Sequence, residues 1–70
     1  MEPMDGLRRA IDLSGKAQRD VSVGAGKSPT FLSMTLARGS LPKIDTYSAL
    51  ARACGYKVYL ESDTDRIEID

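Results

Sequence analysis

The sequence predicts a mainly α-helical fold: a bundle of about four to five short helices, finished by a C-terminal β-strand pair or hairpin. Three observations predict it. Apolar residues recur every three or four positions up to Gly55, and the period then drops to two. Apart from Gly6, glycine and proline stand at the joints between the periodic segments and not inside them.

Met4, Leu7, Ala10, Ile11 and Ser14 share one helical face, with Arg8, Arg9 and Asp12 opposite, so a first helix is expected over residues 4 to 14. Pro3 suits its first turn and Gly15 its end. Residues 18 to 23 read as a short second helix, although Val21 and Val23 flanking Ser22 also fit a strand, and Gly24 and Gly26 end either one. Ser28 is a favourable N-cap with Pro29 in the first helical position, which places a third helix at residues 29 to 38. Phe31, Leu32, Thr35 and Leu36 line one side of it, and Thr30, Ser33, Met34 and Ala37 the other. After Gly39 and Pro42, the positions Ile44, Tyr47, Leu50, Ala51 and Cys54 define the buried face of a fourth helix that stops at Gly55. Val58 and Leu60, then Ile67 and Ile69, alternate with polar residues on either side of the turn-like Ser-Asp-Thr-Asp. Two strands at residues 57 to 61 and 66 to 70 therefore form a hairpin. Residues 1 to 56 are the bundle, and 57 to 70 are an extension of the same single domain.

Seventy residues, 41% apolar and 29% charged, describe one small globular domain with a modest core, for which self-association is a natural expectation. No apolar run approaches the ~18 residues of a membrane span, and MEPMDGLRRA lacks a signal-peptide core, so a cytoplasmic protein without membrane attachment is expected. Cys54 is the single cysteine and histidine is absent. That excludes an intrachain disulfide, argues against a metal site and removes the commonest general base. No nucleophile, base and ligand set converges, so neither an enzyme nor a cofactor is expected. The formal net charge of zero conceals a division. Residues 1 to 59 hold nine basic and five acidic side chains, a net +4, and residues 60 to 70 hold one and five, a net −4. A basic body with an acidic tail can present one face to phosphates.

Gly24-Ala25-Gly26-Lys27-Ser28 matches the end of a phosphate-binding loop, but Val21 stands where that signature begins with glycine. No parallel α/β sheet surrounds it. The segment reads instead as a turn between helices.

Residues 18 to 25, the turn at 26 to 28 and residues 29 to 38 together resemble a helix-turn-helix, two short helices at a steep angle with the second free to enter the major groove. Over residues 7 to 56 the chain resembles the phage repressor and Cro-like helix-turn-helix family, most closely in FLSMTLARGSLPKIDTYSALARACGY. A recognition helix ends there at Arg38-Gly39-Ser40-Leu41-Pro42, and Ile44, Thr46, Leu50, Ala51 and Gly55 follow the family's bracing helix. Gln18 and Gly26 match family positions, whereas Ser22 stands where alanine is usual and Lys27 where the turn is usually apolar.

The resemblance implies a lambda-repressor-like bundle and binding to double-stranded DNA. It makes Gln18 a phosphate or base contact. It puts Lys27 and Ser28 at the start of the recognition helix, Thr30, Ser33 and Met34 at base edges, and Arg38 on a phosphate beyond the helix. Hydroxyls bond either way, and methionine or threonine methyls can meet a thymine methyl. Arginine, asparagine and glutamine are missing before Arg38, so bidentate base reading is scarce and DNA shape gains weight.

The strands in CGYKVYLE are similar to those that mediate dimerisation in antitoxins of bacterial toxin–antitoxin operons. Val58, Tyr59, Leu60, Ile67 and Ile69 are accordingly the expected dimerisation residues, whether the strands pair within one chain or between two. The expected function is a dimeric, sequence-specific transcriptional regulator, most plainly a repressor on a palindromic operator. The alternative is an antitoxin that holds a toxin protein and regulates its own operon.

Overall fold

The computed structural model describes residues 2–69. Four helices and a two-stranded antiparallel sheet follow one another as α1 (Pro3–Ser14), α2 (Gln18–Gly24), α3 (Phe31–Arg38), α4 (Ile44–Ala53), β1 (Val58–Glu61) and β2 (Arg66–Ile69). The molecule is compact and mainly helical, about 39 × 21 × 20 Å. Among the described residues, no helix is long and apolar enough to cross a membrane.

The core takes side chains from all four helices: Leu7, Ala10 and Ile11 from α1, Val21 from α2, Leu32 from α3 and Leu50 from α4, with Cys54 just past its end. Leu7, Val21, Leu32 and Leu50 are almost wholly excluded from water. Met4, Ala25, Phe31, Leu36, Tyr47 and Ala53 seal the margin. Helix α2 packs on both α3 and α4, and α1 packs on α4. Residues 18 to 23 are thus helical and not extended. Val21 is buried while Val23 is exposed, a split that the 100° step between successive helical residues does not forbid.

Two helices end in the same backbone motif. After α2, the Gly26 N–H bonds the Val23 carbonyl and the Lys27 N–H reaches back to the Ser22 carbonyl, both at 3.0 Å, with Gly26 at φ 78°. After α4, Gly55 bonds Arg52 and Tyr56 bonds Ala51, both at 2.9 Å, with Gly55 at φ 86°. These are Schellman closures, in which a left-handed residue lets the chain turn back and satisfy the last helical carbonyls.

The third helix begins two residues later than Ser28 and Pro29 suggest. Thr30 is its N-cap, with φ −98° and ψ 0°, and its side chain makes no capping bond. Ser28 does not cap the helix. Its carbonyl accepts the Phe31 N–H at 3.0 Å and closes a four-residue turn with Pro29 second. Proline is as well suited to that position of a type I turn as to a first helical turn, and the Thr30 dihedrals are those of the third turn residue.

The helix start is capped from outside. Ser22, fully buried on α2, accepts the Leu32 N–H on its Oγ at 3.0 Å and donates its proton to the Gln18 carbonyl at 2.8 Å. An otherwise orphaned donor at the first turn of α3 is thereby satisfied by a neighbouring helix.

Ile44 departs from the expected buried face of α4, at 61% exposure. It occupies the first turn, which extends past the core toward the α3–α4 connection. Ser48 is buried in its stead and donates its hydroxyl to the Ile69 carbonyl at 3.0 Å, pinning β2 to α4. Strands β1 and β2 pair within the chain in the register Val58↔Ile69, Tyr59↔Glu68, Leu60↔Ile67 and Glu61↔Arg66. Val58, Leu60, Ile67 and Ile69 therefore share one face. The other carries Lys57–Glu68 at 3.5 Å, Arg66–Glu61 at 2.9 Å and the Arg66 guanidinium 5.2 Å from the Tyr59 ring. Ser62 organises the tip. Its hydroxyl oxygen accepts the Asp65 N–H at 3.0 Å.

Removing the Ser22 hydroxyl leaves the buried Leu32 N–H unpaired. Ser22→Ala is expected to cost about 1–3 kcal/mol, read as a lowered urea midpoint at unchanged slope. A second expectation concerns alkaline pH. Burial raises the Cys54 thiol above its ordinary 9.0, against smaller lowering effects of Ser14 and Lys16. Burial also raises the Tyr47 phenol, which donates to the Pro3 carbonyl. Both groups favour the fold in their neutral form, so their contribution is intact below the unfolded-state values and fades as pH rises through the higher folded ones. Urea unfolding from about pH 8 to pH 11 should show falling stability. Cys54→Ala and Tyr47→Phe should each make the fall shallower.

Candidate nucleic-acid interface

Helix α3 buries Leu32, half-buries Phe31, Thr35 and Leu36, and leaves Thr30, Ser33, Met34 and Ala37 open as a stripe at spacings of three, four and seven. The apolar side faces the core and fixes the rotation of the helix about its axis, which turns the small polar side outward. Both ends of α3 are tied down. Ser22 holds the first turn, and the Arg8 guanidinium donates to the Leu36 carbonyl at 3.2 Å, where the negative end of the helix dipole attracts a cation.

The residues expected at this surface divide into four groups. Thr30, Ser33 and Met34 come together on the exposed stripe of α3. Lys27 and Ser28 lie at one end of it, in the connection from α2, and both are exposed. Lys27 places its ammonium 5.5 Å from the centre of the Phe31 ring, an amphipathic stem laid over an aromatic. Arg38 is the last residue of α3 and stands exposed at the opposite end. Gln18 is the exposed first residue of α2 and lines a small recess with Arg8, Ile11, Asp12 and Leu36. Gly26 and Lys27 of the apparent phosphate loop lie in the α2–α3 connection, and its Gly24 is the last residue of α2.

The hydroxyls on α3 are partly committed. Ser33 Oγ donates to the Thr30 carbonyl at 3.0 Å, and Thr35 Oγ1 donates to the Phe31 carbonyl at 2.9 Å. Arg8, on the polar side of α1, and Lys16, just past its end, each bond a carbonyl at a helix end. Lys16 reaches that of Ala53 at 2.7 Å. Sequence reasoning missed Ser22 as a positioning residue. The available signal was its place on the apolar side of α2, beside Val21, where a hydroxyl needs a partner.

A second surface lies on the hairpin side. Pro3, Leu41, Pro42, Ile44, Tyr47 and Val58 line an open apolar groove. Val58 continues onto the hairpin face that bears Leu60 and Ile67, exposed by 60% and 54%. Of the other expected dimerisation residues, Tyr59 is exposed on the opposite, polar face, and Ile69 is half-buried beside α4. Among the described residues, no cluster of three or more acidic or cysteine side chains is arranged to hold a metal ion.

No known family model, curated protein or solved structure matches this chain significantly.

The turn that aims α3 depends on the left-handed Gly26. No atom stands within 4 Å of a Cβ added there, so Gly26→Ala would be penalised by backbone conformation and not by crowding. It is expected to cost about 1 kcal/mol or slightly more in urea unfolding, with the helical circular dichroism retained.

Proposed function

We propose that this chain is a sequence-specific DNA-binding transcriptional regulator, with α2 and α3 acting as a helix-turn-helix in a lambda-repressor-like bundle and α3 as the recognition helix. One observation carries the reading. The α2–α3 corner is held by the Ser22–Leu32 bond and the Gly26 closure, and it leaves a stripe of short side chains open along α3. A helix with a narrow, small-residue outer face fits the major groove, and the Lys27 and Arg38 charges at its two ends suit flanking phosphates. The basic balance of residues 1 to 59 favours the approach to DNA.

A module this small makes few base contacts, so the regulator acts as a homodimer on a palindrome, with recognition helices about 34 Å apart. The uncovered Leu60–Ile67 pair supports such an association. The apolar groove beside it supports a second reading, an antitoxin that also holds a toxin protein and represses its own operon. Co-expression with the adjacent gene separates the two. A stable complex with that product favours the antitoxin, and a homodimer alone favours the plain repressor.

Binding to a duplex from upstream of the gene should weaken steeply as salt rises, in line with counterion release. Thr30→Ala combined with Ser33→Ala should lower affinity by about tenfold or more without altering the urea midpoint by more than about 1 kcal/mol. Absence of DNA binding at low salt would exclude the proposal.

A further inference from the structure

From Ser33 to Ala37 the outward stripe of α3 is chemically one-sided, whereas the Thr30 hydroxyl at its start makes no capping bond and can donate or accept. A serine hydroxyl has one proton and two acceptor lone pairs, and Ser33 commits its proton to the Thr30 carbonyl. What Ser33 offers outward is therefore an acceptor. Beside it, Met34 exposes about half of its surface (49%), and the Ala37 methyl lies one turn further along. Neither the forked donors of arginine nor the paired donor and acceptor of an amide occur between residues 30 and 37.

The major groove presents a limited set of partners for such a surface. Its donors are the exocyclic amines of adenine N6 and cytosine N4, and its apolar group is the thymine C5-methyl. Guanine shows two acceptors, N7 and O6, which would oppose the Ser33 lone pairs. An A·T pair offers an amine and a methyl within a single step, which matches an acceptor next to an apolar side chain.

We propose that Met34 is a specificity-determining residue that reads a thymine methyl, with Ser33 Oγ accepting from adenine N6 of the same or the adjoining pair. The inference rests on the DNA-binding reading above and adds the base chemistry to it. Lys27 and Arg38, at the two ends of the stripe, supply attraction that is indifferent to sequence.

The test uses the full chain and duplexes selected from a random-sequence pool at low salt. Selected sites should share A·T pairs at fixed positions. Replacing a contacted thymine by uracil keeps the pairing and removes only the methyl. It should weaken wild-type binding about fourfold per contact, the effect of one buried methyl. Met34→Ala should bind the thymine and uracil duplexes equally, while Met34→Leu, which keeps an apolar end, should retain part of the discrimination. Replacing adenine by purine, which lacks the N6 amine, should weaken the wild type but not Ser33→Ala. Both side chains are exposed, and circular dichroism should show unchanged folding. If selected duplexes bind but uracil and purine have no effect, or if Met34→Ala keeps the full thymine preference, the inference is overturned and the DNA-binding reading stands. Enrichment of G·C pairs at the shared positions overturns it likewise. No enrichment and no binding at low salt overturns both.

Discussion

The hydroxyl of Ser22 joins two helices that would otherwise only touch. Its proton goes to the Gln18 carbonyl one turn back, and its lone pair receives the Leu32 N–H from the start of α3. Each bond restricts the direction of the other. The angle between α2 and α3 is consequently set by hydrogen-bond geometry as well as by packing. The arrangement replaces a local cap: Thr30 makes no capping bond of its own, and in the dry interior the Leu32 amide needs a partner. Around this contact Val21 and Leu32 are completely buried, and Arg8 secures the far end of α3 through the Leu36 carbonyl. With both ends held and one side in the core, the outward stripe of α3 is a rigid surface on which side chains alone retain freedom. A rigid surface loses little conformational entropy on binding.

Much of this architecture was legible in the residues. Helical spacing located α1, α2 and α4, the change of period located the hairpin, and Gly26 and Gly55 marked the closures. The misplacements have physical causes. Ser28-Pro29 satisfies both a helix start and a reverse turn, and the choice rests on whether Leu32 finds its partner locally or on α2. Ile44 has the right phase for burial, but phase reports a direction and not whether anything lies in that direction. Ser48 shares the helical phase of Ile44 and Ala51, but a buried hydroxyl needs a partner, and that partner, the Ile69 carbonyl, arrives from a strand 21 residues away.

The candidate surface was legible in a different sense. That Thr30, Ser33 and Met34 face away from the apolar side of α3 follows from the 3.6-residue repeat, and the structure has them exposed. The commitment of the Ser33 proton could not be read in advance, since a hydroxyl is equally a donor and an acceptor until its neighbours are placed. The roles of Arg8 and Lys16 were hidden for a related reason. A basic side chain looks the same in sequence whether it points at water or at a helix C-terminus, and only the packing of α1 beside the ends of α3 and α4 decides.

The two faces of the hairpin limit where the chain can change length. One carries Val58, Leu60, Ile67 and Ile69, and the other an alternating series of Lys57, Glu68, Tyr59, Arg66 and Glu61. Adding or deleting a single residue within either strand would exchange these sets, turning the half-buried Val58 or Ile69 outward and bringing charged side chains to their place. The exposed tip from residue 62 to 65 is free of that parity rule, because it packs on nothing and is ordered by its own Ser62 and Asp65. Length variation, whether by natural drift or by grafting of a peptide, is thus channelled to those few tip positions, while the strands behave as segments of fixed count.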